Sequence, residues 1–118
     1  MKVNELIEHI KDFDDSKEYT GVIIEKDVLL KAILTYGKPS QAYMAVEECA
    51  ELIKAINKIN REPFSAAALD NLIEELADCF ITLMQLKLMV CPVALEKKIN
   101  EKLIRLEKRL ENENAKLC

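Results

Sequence analysis

The sequence predicts an all-α protein, and three observations carry that reading. Glycine and proline are scarce, two and three in 118 residues, so few positions interrupt regular structure. Half of the residues are hydrophobic, and the rest is rich in Glu and Lys, a composition typical of packed helices. Apolar residues recur at three- and four-residue spacing, which is the repeat of a helix face. A chain of this length forms one domain with a modest core.

The elements follow in order. Val3, Leu6, Ile7 and Ile10 predict a short amphipathic helix, ended by Asp14-Asp15-Ser16-Lys17. A second helix runs from about Val22 to Tyr36, with Val28, Leu29, Ala32, Ile33 and Tyr36 on its apolar side. Gly37 stops it, reinforced by Pro39. Ser40 is the expected N-cap of a third helix reaching about Asn60. The Glu62-Pro63-Phe64-Ser65 break separates it from a fourth, from about Ala66 to Val90, with Ser65 as cap and Cys91-Pro92 as its end. A fifth runs from about Val93 to Asn112.

Two acidic motifs dominate the centre of the chain: Glu47-Glu48-Cys49-Ala50-Glu51 and Glu74-Glu75-Leu76-Ala77-Asp78. Glu48 and Asp78 are placed symmetrically about residue 63, and so are Glu51 and Glu75. Residue 63 is the proline of the break, so folding the chain back there brings all four carboxylates to one level of a helical hairpin. Within each helix the i, i+3 spacing puts both acids on one face. Thr82 and Gln85 continue the stripe of Glu75 and Asp78 through apolar sequence, and a polar stripe facing an interior must be paired, metal-bound or wet. Four facing carboxylates repel and call for a hard cation. The set is all oxygen, and the single histidine, His9, lies far away, which disfavours zinc and di-iron chemistry. Carboxylates and water favour Mg²⁺, with Mn²⁺ as a substitute.

The net charge of −4 is accounted for by these four acids, and no basic character points to nucleic acid. The cysteines Cys49, Cys79, Cys91 and Cys118 form no CxxC pair and read as buried or incidental thiols of a reducing compartment. The N-terminus has no apolar signal core. The longest apolar stretch, Leu76 to Val90, is broken by Asp78, Thr82, Gln85 and Lys87 and is too short for a membrane span. The expectation is a cytoplasmic protein without membrane or nucleic-acid partners. On the fifth helix Lys98, Lys102, Arg105 and Arg109 form a basic row, locally unfavourable unless a polyanion binds it or Glu101 eases it by pairing with Arg105.

Glu48-x-x-Glu51 and Glu75-x-x-Asp78, separated by residues 52–74, resemble the ExxE…ExxD signature of the MazG-like all-α nucleoside triphosphate pyrophosphohydrolases. Gly37, Gln41, the run from Ala77 to Lys87 and the tail from Lys102 to Leu110 resemble small phage-type and bacterial members of that superfamily. The resemblance covers roughly residues 28–110. It implies a variable helical extension at 1–20 and a catalytic domain at 21–118. It also implies a helical bundle completed by oligomerisation, as a homodimer or homotetramer. Glu48, Glu51, Glu75 and Asp78 would hold Mg²⁺, and water would attack a nucleoside triphosphate at the α–β linkage to give monophosphate and pyrophosphate. Glu47 or Glu74 would position the water, or else each is a surface acid at the edge of the site. Lys98, Lys102 and Arg105 would meet phosphate. Gln41 and Gln85 would bind base or ribose, or else line the groove. Tyr36 and Tyr43 lie near the expected entrance, with a core or interface role for each. The rival reading is a non-catalytic helical module of the same fold that binds nucleotide or protein.

Overall fold

The computed structural model describes residues 26–116, and among them every regular element is a helix. The helix expected around Val3–Ile10, His9 and the start of the second expected helix lie outside the described residues. Four helices follow: α1 (Lys26–Tyr36), α2 (Lys38–Arg61), α3 (Ala66–Met89) and α4 (Pro92–Lys116). One compact unit extends to Leu86, and a second begins at Lys87.

In α1 the four-residue repeat buries Leu29 and Ile33, while Val28 and Tyr36 face solvent. The apolar side is therefore narrower than the sequence suggests. Gly37 is the only residue between α1 and α2 and has φ +88° and ψ 152°. An L side chain is strained there, so glycine fits for steric reasons. Its N–H donates to the Ile33 carbonyl at 2.8 Å, and its own carbonyl accepts from the Gln41 N–H at 3.1 Å. It thus closes one helix and opens the next. Ser40 is not the N-cap: α2 begins at Lys38 with Pro39 in its first turn and no side-chain cap. Proline lacks the N–H that a helix start cannot use and arrives with φ already helical, so the helix begins ahead of Ser40.

At the other end of α2 the Glu62 N–H donates to the Lys58 carbonyl at 2.9 Å. The chain then turns through Pro63 and Phe64. Ser65 caps α3 as the sequence predicts, its Oγ accepting from the Ala68 N–H at 3.1 Å. α3 ends at Met89, and Pro92 opens α4, which runs beyond Asn112 to Lys116.

The core of the first unit uses small side chains. Ala45 and Ala55 of α2 and Ala68 and Cys79 of α3 are buried beside Leu29, Ile33 and Ile59. Small residues let helices approach closely, and Cys49 of α2 meets Cys79 of α3 at 3.7 Å between their sulfurs. Tyr43, like Tyr36, is exposed and belongs to no core. The second unit carries α4, in which no residue is buried, and Ile99, Leu103, Leu106 and Leu110 lie open on it. Lys87 and Glu96 pair across the start of this unit at 3.5 Å. No single helix among the described residues is long and apolar enough to cross a membrane.

Gly37→Ala is expected to cost about 1–3 kcal/mol, because alanine disfavours this backbone conformation. Urea denaturation of both proteins measures it, and equal midpoints would show that the joint relaxes freely.

Candidate metal centre

The α2–α3 hairpin carries the acidic motifs on adjoining faces. Carboxylate oxygens of Glu48, Glu75 and Asp78 lie within 4.8 Å of one another, and all three residues are half-buried. Glu51, the fourth acid expected at this level, is not in that group. Its carboxylate reaches back along α2 to the Lys54 ammonium at 3.9 Å. Three like charges push it away and a cation one turn on attracts it, so a long side chain takes the second option. It still lies near enough to act on Glu75 electrostatically.

The electrostatics follow from this crowding. The Glu48 carboxyl is held above its ordinary value by partial burial and then by Asp78, Glu75, Glu47 and Glu51. Glu75 is raised by partial burial, then by Glu51, Asp78 and Glu74, with Lys54 partly offsetting. Glu47 and Glu74 are exposed, at the rim of the cluster.

The donor set suits a hard divalent ion. A Mg²⁺–oxygen distance of about 2.1 Å keeps oxygens on one ion no more than about 4.2 Å apart. Three carboxylate oxygens within 4.8 Å reach that with small side-chain rotations. The absence of sulfur and nitrogen from the group fits magnesium or manganese.

Beside the carboxylates opens a cleft of about 200 Å³ lined by Gln41, Met44, Glu48, Asp78, Ile81, Thr82 and Gln85. Gln41, Thr82 and Gln85 are buried. The Thr82 hydroxyl donates to the Cys79 carbonyl at 2.9 Å. No hydrogen bond to another described residue engages the Gln41 or Gln85 amide, and no buried polar side-chain atom lacks a partner. Both residues line the cleft. Met44 and Ile81, its apolar walls, were legible as the residues one helical turn from Gln41 and Asp78.

A second groove, about 440 Å³, lies toward the hairpin turn and is lined by Glu51, Lys54, Asn57, Lys58, Arg61 and Asn71. Its cations share one face of α2 and were missed from sequence. The basic row expected to meet phosphate lies on α4. Lys98, Lys102, Arg105 and Arg109 are exposed on α4, in the second unit. There Glu101 binds Lys98 at 2.9 Å rather than Arg105, because the i, i+3 partner is in reach.

The sequence profile of the MazG nucleotide pyrophosphohydrolase domain matches residues 38–112, well over half of the chain. The chain belongs to this family. No curated protein and no solved structure matches it significantly. The MazG match spans α2 and α3 entire and most of α4, so the carboxylate cluster and the cleft lie within the family's domain.

A carboxyl raised in the fold stabilises the protein fully below its unfolded value of about 4.5, and that contribution is lost as pH rises through the folded value. In EDTA, Glu48→Gln/Glu75→Gln is therefore expected to gain stability over wild type as pH climbs from acid to neutral. Thermal melts across that range test it, and a constant difference would show that the carboxylates do not repel in the fold.

Proposed function

We propose that this MazG-family chain is a Mg²⁺-dependent nucleoside triphosphate pyrophosphohydrolase. It would cleave an NTP or dNTP at the α–β linkage, water and triphosphate giving monophosphate and pyrophosphate. The observation that carries the proposal is the convergence of Glu48, Glu75 and Asp78 within 4.8 Å inside the family's matched span.

Glu48, Glu75 and Asp78 would hold the ion, with Glu51 joining by leaving Lys54. Bound there, Mg²⁺ or Mn²⁺ would offset phosphate charge and acidify a coordinated water. Glu47 or Glu74 would orient a water and take its proton as it attacks at the α–β linkage, which would part into monophosphate and pyrophosphate. The amides of Gln41 and Gln85, with Met44 and Ile81 as walls, suit the nucleoside. Two basic regions suit the phosphates: the groove of Lys54, Lys58 and Arg61, and the Lys98, Lys102 and Arg105 row on α4. Burial of Leu29 and Ile33 supports a functional domain that starts ahead of the matched span, near residue 21. The free thiols suit a reducing, cytoplasmic setting.

We also propose a homodimer or homotetramer. Ile73, Leu76, Phe80 and Leu83 on α3 and the open row on α4 support it, because contiguous exposed apolar surface marks association.

Pyrophosphate release from a panel of NTPs and dNTPs is expected with Mg²⁺, to vanish in EDTA, and to fall at least about 100-fold in Glu48→Gln. Silence across the panel, with Mg²⁺ still raising Tm, would favour the non-catalytic module. Lys58→Gln/Arg61→Gln is expected to raise KM for the triphosphate about tenfold or more, as loss of charge-assisted contacts to phosphate does. An unchanged KM would remove that groove from the phosphate path. Sedimentation should give a mass above 13.5 kDa at micromolar concentration, and a monomer throughout would overturn the oligomer.

A further inference from the structure

Two of the acids at the carboxylate cluster are each followed in sequence by a cysteine: Glu48 by Cys49 and Asp78 by Cys79. The hairpin that brings the carboxylates together also brings these thiols together, 30 positions apart in sequence, with their sulfurs 3.7 Å from each other. Cys79 is buried and Cys49 half-buried. The third thiol among the described residues, Cys91, is exposed and lies in the other unit. A disulfide needs sulfurs about 2.05 Å apart, so the two, already in contact, have only to approach further.

We propose that Cys49 and Cys79 are an oxidation site, forming a reversible intrachain disulfide that staples α2 to α3 beside the carboxylates. The oxidant is a peroxide or a small-molecule disulfide. With hydrogen peroxide, the Cys49 sulfur takes one oxygen as the O–O bond breaks, giving a sulfenic acid and one water. The Cys79 sulfur then displaces that oxygen as a second water, and the S–S bond forms. Two thiols give up two electrons and two protons, and one peroxide becomes two waters. A small disulfide reaches the same product by two exchanges, releasing two small thiols. The bond would hold the helices together against the repulsion of Glu48, Glu75 and Asp78. It stands on the thiol geometry alone and does not depend on the catalytic proposal.

The test uses the full chain with Cys91→Ser/Cys118→Ser, so that only this pair can react. Treatment with hydrogen peroxide or oxidised glutathione is expected to lower the mass by about 2 Da and to yield a peptide linking Cys49 to Cys79, both reversed by dithiothreitol. Tm in EDTA is expected to rise by at least about 5 °C, from closing a loop of this length. Adding Cys49→Ala, at a half-buried position where folding is spared, should abolish both effects. Full alkylation of both thiols after oxidation, or linkage only between chains, would overturn the proposal whether or not the protein releases pyrophosphate.

Discussion

Carboxylate repulsion at the middle of a helical hairpin is the constraint around which this molecule is arranged. Glu48, Glu75 and Asp78 are held near one another although each makes the others costlier to ionise. Something must offset that cost. Ala45 and Ala55 on α2 and Ala68 and Cys79 on α3 are buried, and side chains this small suit a close approach of two helices. A seam of leucines would hold the helices farther apart and loosen the cluster. Stability of the fold and chemistry at the site therefore pull against each other, as they do where function requires unfavourable local electrostatics.

The hairpin also separates tasks along its length. Beyond the acids on one side lies a cleft lined by apolar side chains and two amides, and toward the turn lies a groove rich in cations. An anionic ligand with an uncharged, hydrogen-bonding end would find suitable surroundings for each part within one pair of helices. This order follows from the sequence of α2, where Gln41, Glu48, Glu51, Lys54, Lys58 and Arg61 succeed one another turn by turn.

Much of this was legible beforehand, for identifiable reasons. The boundaries at Tyr36 and Ala66, and an end of α3 one residue short of the expected Val90, follow from periodicity and punctuation, which are local properties. Symmetry about Pro63 placed the acids because an antiparallel hairpin is nearly fixed by its turn. Cys49 and Cys79 average to residue 64, one position off that symmetry, and thiols carry no charge pattern to draw attention to them. Glu51 departed from expectation because a long side chain chooses between partners, and Lys54 is equally local. Ser40 was mistaken for a cap because capping propensity says nothing of the proline before it. The outer faces of α3 and α4 mark the real limit. Periodicity identifies an apolar face but not what covers it, so Leu76 and Leu103 read alike from sequence as core or as contact surface.

The single-residue joint at Gly37 has a consequence for how this chain can vary. Its carbonyl is bound by the Gln41 N–H, and Gln41 is part of the cleft wall. With no linker to absorb a change in length, one residue inserted within the first turn of α2 would rotate everything before it by about 100° relative to the acids. Insertions should therefore accumulate at the Pro63 turn, where the chain is exposed, and be purged at Gly37, so that natural length variants would map the parts of the molecule that share a register.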